Sequence, residues 1–548
     1  MLINIFGAKC IGIEAVPVTV EVDISTGIGI HLVGLADVAV KESLLRTMTA
    51  LQSMGMRIPG KKIVINLAPA DMHKKGSGYD VPIALGIIAA SGQSELPGLG
   101  KYIIMGELGL DASIRDIPGA LPIAELSREG GFEGCILPEG SAMEAAEYDK
   151  TRVYGVRTLS DVLRILSETE LCDDLLVSRH RLQSLPPDNA SPVYMDFSEI
   201  VGQDAAKRGM EVAAAGSHNV MMVGSPGSGK SSLAKALAGI LPPMDMEEAV
   251  VTSKIYSVAG RGASRWGFMR RRPFRSPHYS ASIAAIIGGG NGDNILPGEI
   301  SLAQNGVLFL DEFAQLPRSV AEALRGPLED RKVIISRLRS KVEYPASFML
   351  VAAANPCPCG YWGEGDRCQC TPGQRQSYFS RFSGPILDRI DVHLWLRSVE
   401  TKYLIGRRSG ESSAVVAKRV ARAREIQRIR FLDEGIFTNS EMNNRQMHLY
   451  CPLDGECSRI MERIIDQRGL SARAFSRIVK MARTIADLSL AADDSVWLHD
   501  PPSPGGKVPF EPVRPRLLAG VTIPPITPSH LLEAAGYRFL DRVDIGIK

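Results

Sequence analysis

The stretch GSPGSGKS, Gly224 to Ser231, constrains this chain more than any other. The apolar run NVMMV leads into it and the helix-like SLAKALAGIL follows, which is the strand, loop and helix setting that the pattern G-x-x-x-x-G-K-[S/T] requires. Gly224, Gly227 and Gly229 let consecutive backbone N–H groups turn inward around phosphate oxygens, and the helix start adds a favourable dipole. Ser225, Pro226, Ser228 and Ser232 complete the expected nucleotide-binding loop. Lys230 is expected to reach the β- and γ-phosphates and Ser231 to hold Mg²⁺, which makes ATP and Mg²⁺ the expected ligands. The bland alternative, a chance glycine-rich turn, fits the flanking elements poorly.

A second element supports the first. In GVLFLDEF, residues 306–313, four apolar residues lead to Asp311 and Glu312, placing two carboxylates at the carboxyl end of a buried strand, where open α/β sheets bind ligands. Asp311 is expected to organise Mg²⁺ and its waters, and Glu312 to polarise the attacking water. An ordinary strand exit is the alternative, but the position about 80 residues beyond the phosphate loop weighs against it. A third apolar run, FMLVAAANP, ends in Asn355, a polar residue that in such ATPases orients the water or touches the γ-phosphate.

At 548 residues the chain needs three or four units. Residues 1–168 alternate β-branched runs with helix-like segments and read as one α/β domain. Residues 169–196 are polar and proline-bearing and read as a linker, and 197–398 read as the α/β core of the ATPase. Residues 399–548 turn helical and arginine-rich, interrupted at 493–526 by a proline- and glycine-rich insertion. The N-terminus lacks the parts of a secretory signal, and no stretch approaches a membrane-spanning length of about 18 apolar residues, so the expected compartment is the cytosol and no membrane partner is expected. The net charge of +2 leaves only local patches for nucleic acid.

Two segments qualify for further chemistry. NPCPCGYWGEGDRCQCT carries Cys357, Cys359, Cys368 and Cys370, whose four thiolates suit a structural Zn²⁺ with no open position for water. C-x-C is less typical of zinc than C-x₂-C; iron–sulfur ligation fits the spacing poorly, and a metal-free loop is the third reading. RGASRWGFMRRRPFR, residues 261–275, holds Arg261, Arg265, Arg270, Arg271, Arg272 and Arg275 interleaved with Trp266, Phe268 and Phe274, a combination suited to phosphates and bases of single strands. AKRVARAREIQRIR, residues 417–430, spreads its arginines around a helix and reads as a solvated or intersubunit face.

Taken together, GSPGSGKS, RRPFRSPHYSAS, PGEISLAQNGVLFLDEF, AAANPCPCG, SGPILDRIDVH, LSARAFSRIVKMARTIADL and ITPSHLLEAAGYRFLDR resemble the magnesium-chelatase-like AAA+ ATPases of the ComM/YifB family over nearly the whole chain; the 493–526 stretch departs from it. The resemblance implies an N-terminal ribosomal-S5/Lon-protease-like α/β domain, an AAA+ P-loop core and a C-terminal helical lid. It makes Asn355 the sensor-1 residue, Arg389 an arginine finger acting on a neighbouring subunit, and Arg473 the sensor-2 arginine. Arg389 pairing with Asp388 or Asp391, and Arg473 capping its helix, are the bland alternatives, with Arg381 and Arg477 as rivals. It also implies a homo-oligomeric ring, a hexamer, moving on single-stranded or branched DNA as a helicase or branch-migration motor in recombination or natural transformation. A protein-remodelling ATPase with a protein client is the alternative. An ATP-dependent protease is the third reading, undercut because Gly78 and Pro122 stand where the Lon-type serine and lysine belong, with Ser77, Lys74 and Lys75 nearby.

Overall fold

Strict alternation in the first 70 residues builds the first sheet. The computed structural model describes residues 2–542 apart from 36, 75, 149–150, 170, 179–194, 262–266, 291–294, 338–340, 383, 399–409, 499–513 and 519. Leu2–Ile11 and Glu14–Ser25 pair antiparallel, and Lys62–Ala68 pairs with the second of them, burying Val18, Val20, Val22, Ile63, Ile65 and Leu67 on one face. Five further strands complete eight: Gly29–Val33 at one edge, and Tyr102–Ile104, Gly134–Pro138, Arg152–Val156 and Leu176–Val177 on the other side. The helix Asp80–Ala90 lies on this sheet so closely that a Cβ on Gly86 would stand 2.4 Å from Val22.

The second sheet is parallel throughout, in the order Phe274–Arg275, Val307–Leu310, Met349–Ala354, Val220–Gly224, Val392–Leu396. The three central strands are fully buried, which is why they read as continuous apolar runs without alternation. This order puts the Asn355 strand between the phosphate-loop strand and the Asp311 strand. Downstream helices Ser413–Arg430, Gly455–Arg468, Ala472–Ala491 and Pro528–Gly536 share the apolar core on one face of this sheet. No helix among the described residues is long and apolar enough to cross a membrane.

Two expectations from charge pattern differ from the fold. The helix Ser413–Arg430 is not a solvated face: Arg430 pairs with buried Asp487, Arg422 with Asp494 and Arg419 with buried Glu211, while Arg424 donates to the Ala214 carbonyl. Its partners come from distant segments, so the sequence window showed the arginines without their counter-charges. In the 261–275 segment, Phe268 and Met269 are buried in the apolar core of the first sheet, with Phe268 edge-on to Tyr148, and Phe274 stacks on Phe309. Arg270 pairs with Glu147, Arg272 with Glu248 at 2.7 Å, Arg275 with Glu299 at 2.6 Å, and Arg261 stands 3.9 Å from Glu299. The described aromatics therefore pack inward and offer no stacking platform; Arg265 and Trp266 lie outside the described residues.

That segment and the helix Met246–Val258 join the two sheets. Leu121 N–H donates to Ser257 Oγ, Gly119 N–H to the Ser257 carbonyl, and Lys254 pairs with Glu125. The expected linker 169–196 falls largely outside the described residues, as does the middle of the 493–526 insertion, of which Trp497 bridges Leu517.

Candidate nucleotide site

The phosphate loop leaves the buried inner strand Val220–Gly224 and enters the helix Lys230–Ile240. Gly227 and Gly229 take φ of 78° and 91°, backbone that only glycine adopts without strain, and this turns the loop over the strand end. Lys230 Nζ donates to the carbonyls of Gly224 (2.6 Å) and Ser225 (2.9 Å) and to Asn355 Oδ1 (3.3 Å). Burial holds the Lys230 ammonium below its ordinary range, although the Asp311 carboxylate works the other way. A charge so placed is short of counter-charge, and a phosphate would supply it.

Ser231 Oγ donates to Asp311 Oδ2 at 3.0 Å, so the two expected Mg²⁺ groups already touch. Asp311 Oδ1 accepts the N–H of Glu312 at 2.8 Å, and Glu312 turns the chain out of its strand with a φ of 49° and stays exposed. Asn355 follows the strand end at Ala354, which is level with Val223. Lys230, Ser231, Asp311, Glu312 and Asn355 thus meet at one end of the sheet, with donors, a divalent-cation pair and a water-facing carboxylate: the parts needed to hold a nucleoside triphosphate and direct water at it.

Arg389 and Arg473 are elsewhere. The carbonyl of Arg389 accepts from Asn219, the residue before the phosphate-loop strand, so it lies at the opposite strand end, about 16 Å away at about 3.3 Å per residue. Both arginines line a cavity of about 420 Å³ there, with Arg331, Arg477 and Lys480. Arg389 is almost fully buried and pairs with Glu329, not with Asp388 or Asp391. Arg473 is exposed, 3.9 Å from Asp388. Arg477 pairs with buried Asp391; desolvation pushes that carboxyl up, but Arg477 and His218 outweigh it and hold it well below the usual carboxylate range.

The four cysteines form one cluster. The Sγ atoms of Cys357, Cys359, Cys368 and Cys370 lie within 4.8 Å of one another, with separations of 3.3, 3.8 and 3.7 Å among the first three. A tetrahedral thiolate set at the zinc–sulfur bond length has edges of about 3.8 Å, so this donor set fits Zn²⁺. Glu364, between the cysteine pairs, accepts from Ser225 of the phosphate loop at 3.0 Å and from Ser398 N–H at 2.8 Å. Sequence reasoning passed over Glu364, because nothing local marks it; so too Gln203, whose amide donates to the carbonyls of Ser228 and Arg397.

A phosphate loop on an inner strand of a parallel sheet, the strand that leads to Asn355 beside it, the acidic strand exit at Asp311 one place further, and a helical bundle downstream define a P-loop ATPase of the AAA+ class. Residues 196–404 match the family model for magnesium chelatase, subunit ChlI; residues 20–141 match that for subunit ChlI of Mg-chelatase, and 410–495 its C-terminal model. The chain is 39% identical to YifB of Salmonella typhimurium over 98% of this chain and 97% of that one, and 38% identical to competence protein ComM of Haemophilus influenzae over 88% and 93%. A 55-residue stretch, 10% of the chain, is 45% identical to the archaeal Lon protease of Archaeoglobus fulgidus. The chain belongs to the ComM/YifB family of magnesium-chelatase-like AAA+ ATPases.

Proposed function

We propose that this protein hydrolyses ATP as a homo-oligomeric ring, a hexamer, and uses the cycle to move along single-stranded or branched DNA as a helicase or branch-migration motor. Glu312 activates the water, Asp311 and Ser231 hold Mg²⁺, Asn355 senses the γ-phosphate, and Arg389 and Arg473 serve the nucleotide of the next subunit. The observation that carries the ring is the distance of Arg389 and Arg473 from their own phosphate loop, a full strand length away on a shared cavity. A group that cannot reach its own nucleotide acts across a boundary or not at all. The DNA half is supported by the extended similarity to a competence protein. On this reading residues 1–168 are a non-catalytic Lon-like module, 197–398 the motor core and 399–548 the lid, and Zn²⁺ on Cys357, Cys359, Cys368 and Cys370 is a structural cofactor. The deciding experiment measures ATP hydrolysis and strand exchange on single-stranded, duplex and branched DNA. Hydrolysis stimulated by DNA, and lost in Lys230→Ala, is expected; hydrolysis indifferent to every DNA overturns the DNA half.

A protein client is the second reading, favoured by the engagement of Arg270, Arg272 and Arg275 with carboxylates of the same chain. Capture of a protein by the Glu312→Gln variant without DNA would support it. Proteolysis has less support: Ser77 Oγ donates to Glu107 and Lys74 Nζ to the Pro69 carbonyl, so neither engages the other. A casein digestion assay tests it directly.

A further inference from the structure

The cysteine segment extends beyond its thiol cluster to the phosphate loop. Eight residues separate Cys359 from Cys368, three of them glycine, and such a chain has little intrinsic order. Yet its contacts are specific. Gly360, at φ 86°, lies so close to the loop that a Cβ would stand 2.8 Å from Pro226. Gly363, at φ 92°, packs on Trp395, and Trp362 sets its ring edge-on to Trp395 at 5.6 Å and to Phe379 at 5.8 Å. Glu364 ties two strand ends together, those of Val220–Gly224 and Val392–Leu396: one oxygen accepts from Ser225 Oγ and Ser398 N–H, the other from Ser398 Oγ. Ser225, 3% exposed, offers its carbonyl to Lys230 Nζ. A line of contacts therefore runs from the thiol cluster through Glu364 and Ser225 to the phosphate-binding lysine.

We infer that the four cysteines bind one Zn²⁺ and that the zinc-closed loop braces the phosphate loop, with Glu364 as its positioning residue, so that nucleotide affinity depends on a metal that never touches the nucleotide. The inference rests on the zinc and ATPase readings above. Physically, a metal at the base of the loop supplies in four bonds the ordering that its composition lacks. Once ordered, the loop holds Glu364 against Ser225 before ATP arrives, and the cost of arranging the phosphate loop is met in advance.

The test uses the full chain. Elemental analysis should give one zinc per chain. Titration with a fluorescent ATP analogue in Mg²⁺ should show Kd rising about 10-fold after a zinc-selective chelator that spares Mg²⁺, and returning on zinc addition. Glu364→Ala should keep its zinc while raising Kd about 5- to 10-fold, with Glu364→Gln between it and wild type. Gly360→Ala should show the same pattern through Pro226. Absence of zinc, or iron in its place, overturns the metal half. Unchanged Kd in zinc-loaded Glu364→Ala overturns the brace, even where stripped protein precipitates. Failure of the wild-type chain to bind nucleotide overturns the ATPase reading itself, a different result from weakened binding on zinc removal.

Discussion

Lys230 and Glu144 are both titratable groups set by burial, with opposite uses. Lys230, short of counter-charge at the strand end, awaits a phosphate; Lys230→Ala should reduce ATP hydrolysis at least about 100-fold, measured as phosphate release. Glu312→Gln should lose hydrolysis to a similar degree while still binding nucleotide, because its carboxylate is exposed and bonds nothing in the phosphate loop. Glu144 sits at the junction of the two sheets, facing Ser257 and near Asp116, and desolvation pushes its carboxyl up to about 7 from 4.5. The folded chain therefore holds a proton that the unfolded chain has released between about pH 4.5 and 7, so this group's contribution favours folding at acidic pH and turns against it as pH rises through that window. Glu144→Gln should raise the melting temperature at pH 8, by a stabilisation on the order of 3 kcal/mol, and change it little at pH 5.

At the scale of elements, the helix Met246–Val258 opens on an Asp245–Glu248 capping box, and no local sequence pattern marks it as a joint. Its outer face meets Gly119, Leu121 and Glu125, and those residues are more than a hundred positions away in the chain. Phe268 extends the same joint. Phe268→Ala should cost about 3 kcal/mol, read as a lower denaturant midpoint, and loosen the first sheet from the second, read as faster proteolysis between them. The helix Ser413–Arg430 makes the same point by a different route. Residues 417–430 read as helical in sequence, yet the Arg422 and Arg430 side chains are buried because Asp494 and Asp487 arrive from other elements to meet them, as Glu211 does for Arg419.

At the scale of the whole molecule, the two halves of the proposed catalytic apparatus lie at opposite strand ends, and that yields a prediction about assembly. Lys230→Ala and Arg389→Ala should each be inactive alone, while a mixture should recover activity at the mixed interfaces that pair an intact loop with an intact finger. A mixture as inactive as its components would place Arg389 outside catalysis. The glycine-rich loop, the acidic strand exit and the strand end at Asn355 were all visible in sequence, because each is a contiguous run of residues. Their meeting at one end of a parallel sheet followed from strand direction alone. Tertiary structure alone decided what depends on charge and space across long separations: that Arg389 pairs with Glu329, that Arg270, Arg272 and Arg275 pair with carboxylates, and that Glu364 links the cysteine cluster to Ser225. A sequence window displays a side chain's own charge, but its partners and its burial exist only once distant segments pack together.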